Sequence, residues 1–176
     1  MNKLYGVSAG LVAGLFSVLF LNELFKWLIA SCFVDHPQLF LSGIHLSMNI
    51  NFSGLSFFRI LLIIISPLLF SIIIVEISSL IMKKLEKEFI RLNLLIFMFI
   101  NIGYLIFNIL LGILALILKS TYTNDWGRFL ESSGFTYNQK LVFMLFIMVI
   151  LFAYLNYNAK KMKTFIPVIN KLDNKK

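Results

Sequence analysis

Four long apolar runs constrain this chain more than any other feature of its sequence. They cover 6–33, 55–82, 92–118 and 141–157, and the shortest of them is at the lower end of the roughly 17–25 residues that a membrane-spanning helix needs. Of the 176 residues, 60% are hydrophobic and 14% are charged, whereas soluble domains have about 45–50% apolar and about 25% charged residues. The sequence therefore predicts an all-α integral membrane protein with four transmembrane helices in a single domain.

The loop after the first run has a different pattern. Apolar and polar residues alternate over 44–52, and a period of two is typical of a short strand or hairpin. If this segment lies at membrane depth, protein must cover its backbone, because hydrocarbon offers no hydrogen-bond partners. We therefore expect a short strand-like loop between the first two transmembrane helices.

Basic residues collect on one side of the predicted topology. The chain has 16 Lys and Arg against 8 Asp and Glu, a net charge of +8. Eleven of the sixteen lie at the N-terminus, between the second and third runs, and in the tail. On the opposite side, the loop 34–54 has none and the loop 119–140 has three. The positive-inside rule then places both termini on the cytoplasmic or matrix side of a plasma, bacterial inner or organellar inner membrane.

The same charges indicate which partners the chain contacts. The basic residues flank the apolar runs and do not alternate with aromatic residues, so we expect contact with the lipid bilayer and no nucleic-acid partner. A second outer loop, 119–140, carries Trp126, a residue type enriched at the membrane–water interface.

Small residues form a stripe on the first run. Gly6, Gly10 and Gly14 recur every four residues, so they share one face of a helix, where a second helix can approach closely. We predict a helix-packing face there. Together with the polar residues inside the runs, it favours association with other membrane protein subunits.

Charged and amide side chains interrupt the apolar runs. Asn22, Glu23 and Lys26 lie in the first run, Glu76 in the second and Asn101 in the third. A charged side chain at mid-bilayer costs about 2.5–3.5 kcal/mol on insertion scales, so it usually has a partner or a function. Glu23 and Lys26 can neutralise each other across one helical turn. Alternatively, the five residues together form an intramembrane polar site.

The sequence lacks the familiar catalytic and metal-binding patterns. His36 and His45 have no standard ligand spacing with Asp35, and Cys32 is the only cysteine. The chain contains no phosphate-binding loop and no arrangement of a nucleophile with a base. We therefore expect no metal, no cofactor and no catalytic residue.

The order of several segments resembles a known family. The chain carries Asn22-Glu23-Leu24-Phe25-Lys26, the alternating segment 44–52, Ile65-Ser66-Pro67 and Asn101-Ile102-Gly103-Tyr104, in that order. This order resembles the membrane-embedded zinc peptidases of the site-2 protease type and related membrane zincins. The resemblance implies a His-Glu-x-x-His helix, a strand-like loop, a span with a central proline, and a later helix with an Asn and an acidic zinc ligand.

The zinc-ligand positions depart from that family. Asn22 and Lys26 stand at the two histidine positions, and Tyr104 stands where an acid is expected. Glu23, at the general-base position, is kept. Zinc lowers the pKa of its bound water to about 7, and without zinc ligands that nucleophile is lost. The resemblance therefore implies an inactive pseudopeptidase.

We interpret the chain as a non-enzymatic multi-pass subunit or scaffold of a larger membrane complex. An inactive zincin-like core is compatible with this interpretation. Two alternatives stay open at the level of sequence. One is a transporter or channel component with Glu23, Lys26, Glu76 and Asn101 along a path. The other is an active intramembrane metallopeptidase with unusual ligands, which requires bound zinc.

Overall fold

Helices make up most of the fold. The computed structural model describes residues 2–85, 87–117 and 125–163. The elements are, in chain order, α1 (Asn2–Phe16), a π-helical turn (Ser17–Leu21), α2 (Asn22–Ala30), β1 (Gln38–Ser42), β2 (His45–Asn49), α3 (Phe57–Lys84), α4 (Glu88–Ile117), α5 (Asp125–Ser132) and α6 (Tyr137–Lys163). The π turn joins α1 and α2 into one continuous helical stretch.

Within the described residues, four helical stretches are long and apolar enough to cross a membrane: Val7–Ala30, Phe57–Lys84, Phe89–Leu114 and Tyr137–Met162. Large apolar side chains cover their outer surfaces; Phe152, for example, is 72% exposed. Lipid solvates such a surface, whereas water does not. The structure thus confirms a mostly helical protein with four helices that could span a membrane and a small two-stranded sheet. The last helix extends beyond the apolar run 141–157 because its polar flanks are helical as well.

Helix α4 lies at the centre of the bundle, where it contacts α1, α3, α5 and α6. One core cluster joins Ile64 of α3, Leu105 of α4 and Met144 of α6. A second cluster, towards the α3–α4 connection, joins Met82 of α3 and Met98 of α4. Because α4 packs against most of the other helices, its position fixes the arrangement of the bundle.

The π turn changes which neighbour the first helical stretch packs against. The buried residues of this stretch are, in order, Gly10, Gly14, Ser17, Asn22, Lys26 and Ala30. They recur every three or four residues except across the π turn, where the step is five. The Asn22 N–H accordingly bonds the Ser17 carbonyl, the i→i+5 pattern of a π turn. As a result α1 packs on α4, whereas α2 packs on α3.

The glycine stripe packs inside the chain. A Cβ atom built on Gly10 would lie 2.6 Å from the Asn93 backbone oxygen, and one on Gly14 would lie 2.6 Å from Cδ1 of Ile100. Both contacts are to α4. The surroundings of Gly6 lie outside the described part of the structure. Since α4 of the same chain occupies the stripe at Gly10 and Gly14, the stripe by itself does not argue for another subunit.

Helix α3 continues through Pro67, which is buried. Proline has no N–H, so the carbonyl of Ile63, four residues earlier, loses its usual helical donor. The Ser66 hydroxyl donates to that carbonyl at 2.7 Å. This bond restores the missing partner inside an apolar bundle, where an unpaired carbonyl is costly.

Trp126, in the predicted second outer loop, is packed inside the bundle and does not lie in an irregular loop. Trp126 lies on the short helix α5 and is 1% exposed. Its Nε1–H donates to Oδ1 of Asn108 at 3.0 Å, and its Cγ would lie 3.0 Å from a Cβ built on Gly112. The indole therefore packs against α4, because the small Gly112 leaves room and Asn108 satisfies the ring N–H.

Candidate functional site

The hairpin folds back along the first helical stretch. Its antiparallel register runs from Gln38↔Asn49 to Ser42↔His45, and Gly43 supplies the positive φ of 62° at the turn. The indole N–H of Trp27 donates to the Pro37 carbonyl at 2.9 Å, which places the start of β1 beside α2. The prediction of a strand-like loop after the first helix is confirmed.

The hairpin reaches the level of the π turn. From the Pro37 carbonyl, five strand residues extend about 17 Å, which equals the rise of about eleven helical residues. Consistently, β2 contacts both α2 and the π turn. The tip of the hairpin therefore lies beside the middle of the first helical stretch, and not above its end.

A cleft of about 520 Å³ lies between the hairpin, the first helical stretch and α4. Apolar residues form much of its wall, among them Val18, Leu19 and Phe107. Its polar lining residues are Glu23, Lys26, His45, Ser47, Tyr104 and Asn108. A volume of this size falls within the roughly 300–1,000 Å³ that is typical of ligand sites, so we take this cleft as the candidate functional site.

Glu23 and Lys26 form an ion pair in the cleft. The Lys26 Nζ lies 3.6 Å from Oε2 of Glu23, and the side chains are 4% and 21% exposed, respectively. Removing a charge from water without compensation is costly, and the pairing keeps this part of the bundle electrically neutral. The cleft thus presents both an ammonium and a carboxylate while carrying no net charge from the pair.

Asn22 and Asn101 bind the first helical stretch to its neighbours. The Ser71 hydroxyl of α3 donates to Oδ1 of Asn22 at 3.2 Å, and the Ser17 hydroxyl donates to Oδ1 of Asn101 at 3.2 Å. The four side chains are buried. Interhelical hydrogen bonds of this kind contribute to the association of membrane helices, so both asparagines have a structural role.

We expect Ser71→Ala to destabilise the fold by about 1–3 kcal/mol, because it leaves the buried Asn22 oxygen without its hydroxyl donor. Ser79→Ala is the matched control on the same helix, since Ser79 is equally buried and its hydroxyl has no hydrogen-bond partner among the described residues. Thermal unfolding in mild detergent should separate the two variants. Equal melting temperatures would contradict the role given to Ser71.

Glu76 lies in a different part of the bundle. Its carboxylate accepts a hydrogen bond from Lys161 Nζ at 2.6 Å and one from the Tyr154 hydroxyl at 3.3 Å. Both donors belong to α6, so the group joins α3 to the last helix. Of the five residues predicted as one polar site, Glu23 and Lys26 line the cleft, while Asn22, Glu76 and Asn101 contact neighbouring helices. No pattern in the sequence indicates Lys161 as the partner of Glu76, because Lys161 lies in the basic segment after the fourth apolar run.

The residues around Glu23 do not fit a zinc ion. Among the described residues, no three His, Cys, Asp or Glu side chains are grouped closely enough to hold a metal. Of these four residue types, the lining of the cleft contains Glu23 and His45. The Lys26 ammonium also lies next to the Glu23 carboxylate. A positive charge therefore already stands beside one of these two candidate metal ligands. We therefore derive no hydrolytic step at this site.

Comparison of the chain with protein-family models, curated proteins and solved structures gave no match. The resemblance to zinc peptidases of the site-2 protease type therefore stays a prediction. The geometry of the hairpin, the cleft and the ion pair is the basis for the functional argument.

Proposed function

We propose that this chain is a non-enzymatic subunit of a larger membrane complex and that it binds a partner protein through its hairpin. The observation that carries this proposal is the outer edge of β1, which lies beside the middle of the first helical stretch and has no backbone partner among the described residues. The proposal places both termini on the cytoplasmic or matrix side. It allows an inactive zincin-like core but does not require one.

The outer edge of β1 presents unpaired backbone groups. In a hairpin with a two-residue turn, Ser42 and His45 exchange hydrogen bonds, and the pairing alternates along the strands. The N–H and C=O groups of Leu39 and Leu41 therefore point away from β2. Within the described residues, no backbone bond joins these groups to another element. Leu41 is 65% exposed.

Hydrocarbon cannot satisfy such an edge. Each unpaired backbone group costs several kcal/mol in the bilayer core, and lipid-exposed sheet edges do not occur there. A polypeptide that covers the edge with an extended segment would pair these groups, as in other complexes formed by strand addition. The depth of the hairpin therefore favours a protein partner over lipid at β1.

Antiparallel strand addition by a second copy of the chain does not suit this edge. Antiparallel pairing of β1 with another β1 would reverse the direction of that strand. Because β1 runs back along the first helical stretch, the second copy would then be inverted across the membrane. The positive-inside rule gives all copies one orientation. Parallel pairing of two copies is slightly less stable per residue, so the partner in this proposal is a different protein with an extended, uncharged segment.

The cleft beside the hairpin supports the same function. Glu23 and Lys26 offer an acceptor and a donor next to apolar walls, which suits the backbone and side chains of a bound segment. A transport path is less well supported, because Glu76 is paired with Lys161 and Asn101 with Ser17. These residues do not join the cleft into a continuous polar route.

Leu41→Pro tests the proposal. Proline removes one outward N–H but leaves the bonds between β1 and β2 intact, and Leu41→Val is the matched control that keeps the N–H. We expect recovery of the partner in mild detergent to fall about tenfold with Leu41→Pro, the effect of losing about 1.4 kcal/mol of binding free energy, and to be unchanged with Leu41→Val.

Mass spectrometry of the co-purified proteins, with metal analysis of the same sample, gives the readout. Equal recovery of partners with both variants would overturn the role of the β1 edge. A lone chain with stoichiometric zinc would overturn the non-enzymatic function as a whole and support the metallopeptidase.

A further inference from the structure

The two faces of the hairpin differ in polarity. Alternate residues of a strand share a face, and so do cross-strand partners. One face consists of Gln38, Phe40, Ser42, His45, Ser47 and Asn49, and all of these except Phe40 are polar. The other face consists of Leu39, Leu41, Leu46 and Met48. Leu39 and Met48 pack with Ala30 and Ile63 of the helices, so the hairpin packs on the bundle through its apolar face.

The polar face of the hairpin borders the cleft of about 520 Å³. Phe40, His45 and Ser47 line the cleft, and β2 contacts the π turn in the middle of the first helical stretch. His45 is exposed. On the opposite wall, the Glu23 side chain is 21% exposed, although it lies seven residues before the end of the span Val7–Ala30. Polar side chains therefore border one shared volume from two sides, at a depth where lipid tails would otherwise surround them.

The outer edge of β2 adds backbone groups to the same volume. Because Ser42 and His45 exchange hydrogen bonds, the N–H and C=O groups of Leu46 and Met48 point away from β1. Both of these residues line the cleft, and within the described residues no backbone bond joins them to another element. Unpaired backbone groups are costly in hydrocarbon, so lipid tails are an unfavourable filling for this cleft.

We propose that the cleft is filled with water and admits small hydrophilic solutes to the middle of the membrane. Its volume is enough for about 17 water molecules at about 30 Å³ each. Water both donates and accepts hydrogen bonds, so it can satisfy the carboxylate, the imidazole, the hydroxyls and the strand edge without a fixed geometry. This inference concerns the chain on its own and does not depend on a partner at β1. A packed protein segment is the competing occupant, and the experiment separates the two.

The test measures the reactivity of single cysteines in the full chain, in vesicles of phosphatidylcholine and phosphatidylglycerol. Cys32, the only cysteine, is first replaced by serine. Ser47→Cys then places a thiol in the cleft. Leu145→Cys is the control at similar depth, because Leu145 is 50% exposed on α6 and lies eight residues inside the span Tyr137–Met162. A charged methanethiosulfonate, supplied on both sides by freeze–thaw, reacts with the thiolate, which forms in water. We expect Ser47→Cys to react at least about tenfold faster than Leu145→Cys.

Leu19→Cys extends the test to the middle of the membrane. Leu19 lines the cleft from the π turn, eleven residues before the end of its span, and Val149→Cys, 67% exposed on α6, is its control. We expect Leu19→Cys to react faster than Val149→Cys as well. Equal rates within either pair, fast or slow, would overturn the proposal. If Ser47→Cys does not fold, Leu19→Cys and its control decide the question. These rates are measured on the chain alone, so their failure is distinct from unchanged partner recovery with Leu41→Pro.

Discussion

Replacing Gly10 with isoleucine is expected to destabilise the fold by at least about 3 kcal/mol. The new Cβ would lie 2.6 Å from the Asn93 carbonyl oxygen and 3.0 Å from the Asn93 Cα. Overpacking costs typically 1–3 kcal/mol where side chains can shift. Here the obstructing atoms belong to the α4 backbone, so α1 and α4 would have to separate. Melting temperature and the monodisperse fraction after size-exclusion chromatography measure the effect.

Gly103→Ile is the matched control. Gly103 is also a helical glycine of the same bundle, but it is exposed and a Cβ built there meets nothing within 4 Å. We expect this variant to fold like the wild-type chain. If Gly10→Ile also folds normally and loses only a bound partner, then the stripe is an interface with another subunit, and its packing inside the chain is wrong.

Replacing Glu23 with glutamine is expected to have the second largest effect. The substitution leaves the Lys26 ammonium, 4% exposed, without the carboxylate at 3.6 Å. Removing one partner of a buried ion pair costs about 3–5 kcal/mol. We expect the lower end of that range, about 3 kcal/mol, because the Glu23 side chain is 21% exposed and solvent screens part of the interaction.

The double variant Glu23→Gln/Lys26→Met separates a structural pair from a functional site. It removes both charges and keeps similar side-chain volumes, so most of the stability should return. A double variant as unstable as Glu23→Gln would show that the pair is not the main contribution. A stable Glu23→Gln chain that loses ion or solute flux in liposomes would instead support the transporter alternative.

The sequence alone is sufficient for the elements that depend on local composition. Long apolar runs predict membrane helices, because lipid requires about twenty apolar residues in each span. Alternation over 44–52 predicts a strand, because side chains of a strand point to opposite faces. Glu23 and Lys26 are three residues apart, so they lie on the same side of a helix and can form an intrahelical pair. Each of these features depends on neighbours a few residues apart.

Features that depend on distant residues were missed or misplaced. The burial of Trp126 requires Asn108 and Gly112 on another helix, and the role of Glu76 requires Lys161, which lies 85 residues away. The π turn after Phe16 has no signature in composition. It arises in the folded chain, where it lets Gly10 and Gly14 face α4 while Asn22 faces α3.

The sequence by itself indicated an integral membrane protein, the number of helices that can cross the bilayer, and the polar side chains that need partners. The tertiary structure decided which partners they have: Ser71 for Asn22, Ser17 for Asn101 and α4 for the glycine stripe. It also brought the hairpin beside the middle of the first helical stretch and left the outer edge of β1 without a backbone partner in the part of the chain that the structure describes. Hydrophobicity and helix periodicity are local properties, whereas the pairing of buried polar groups depends on which helices pack together.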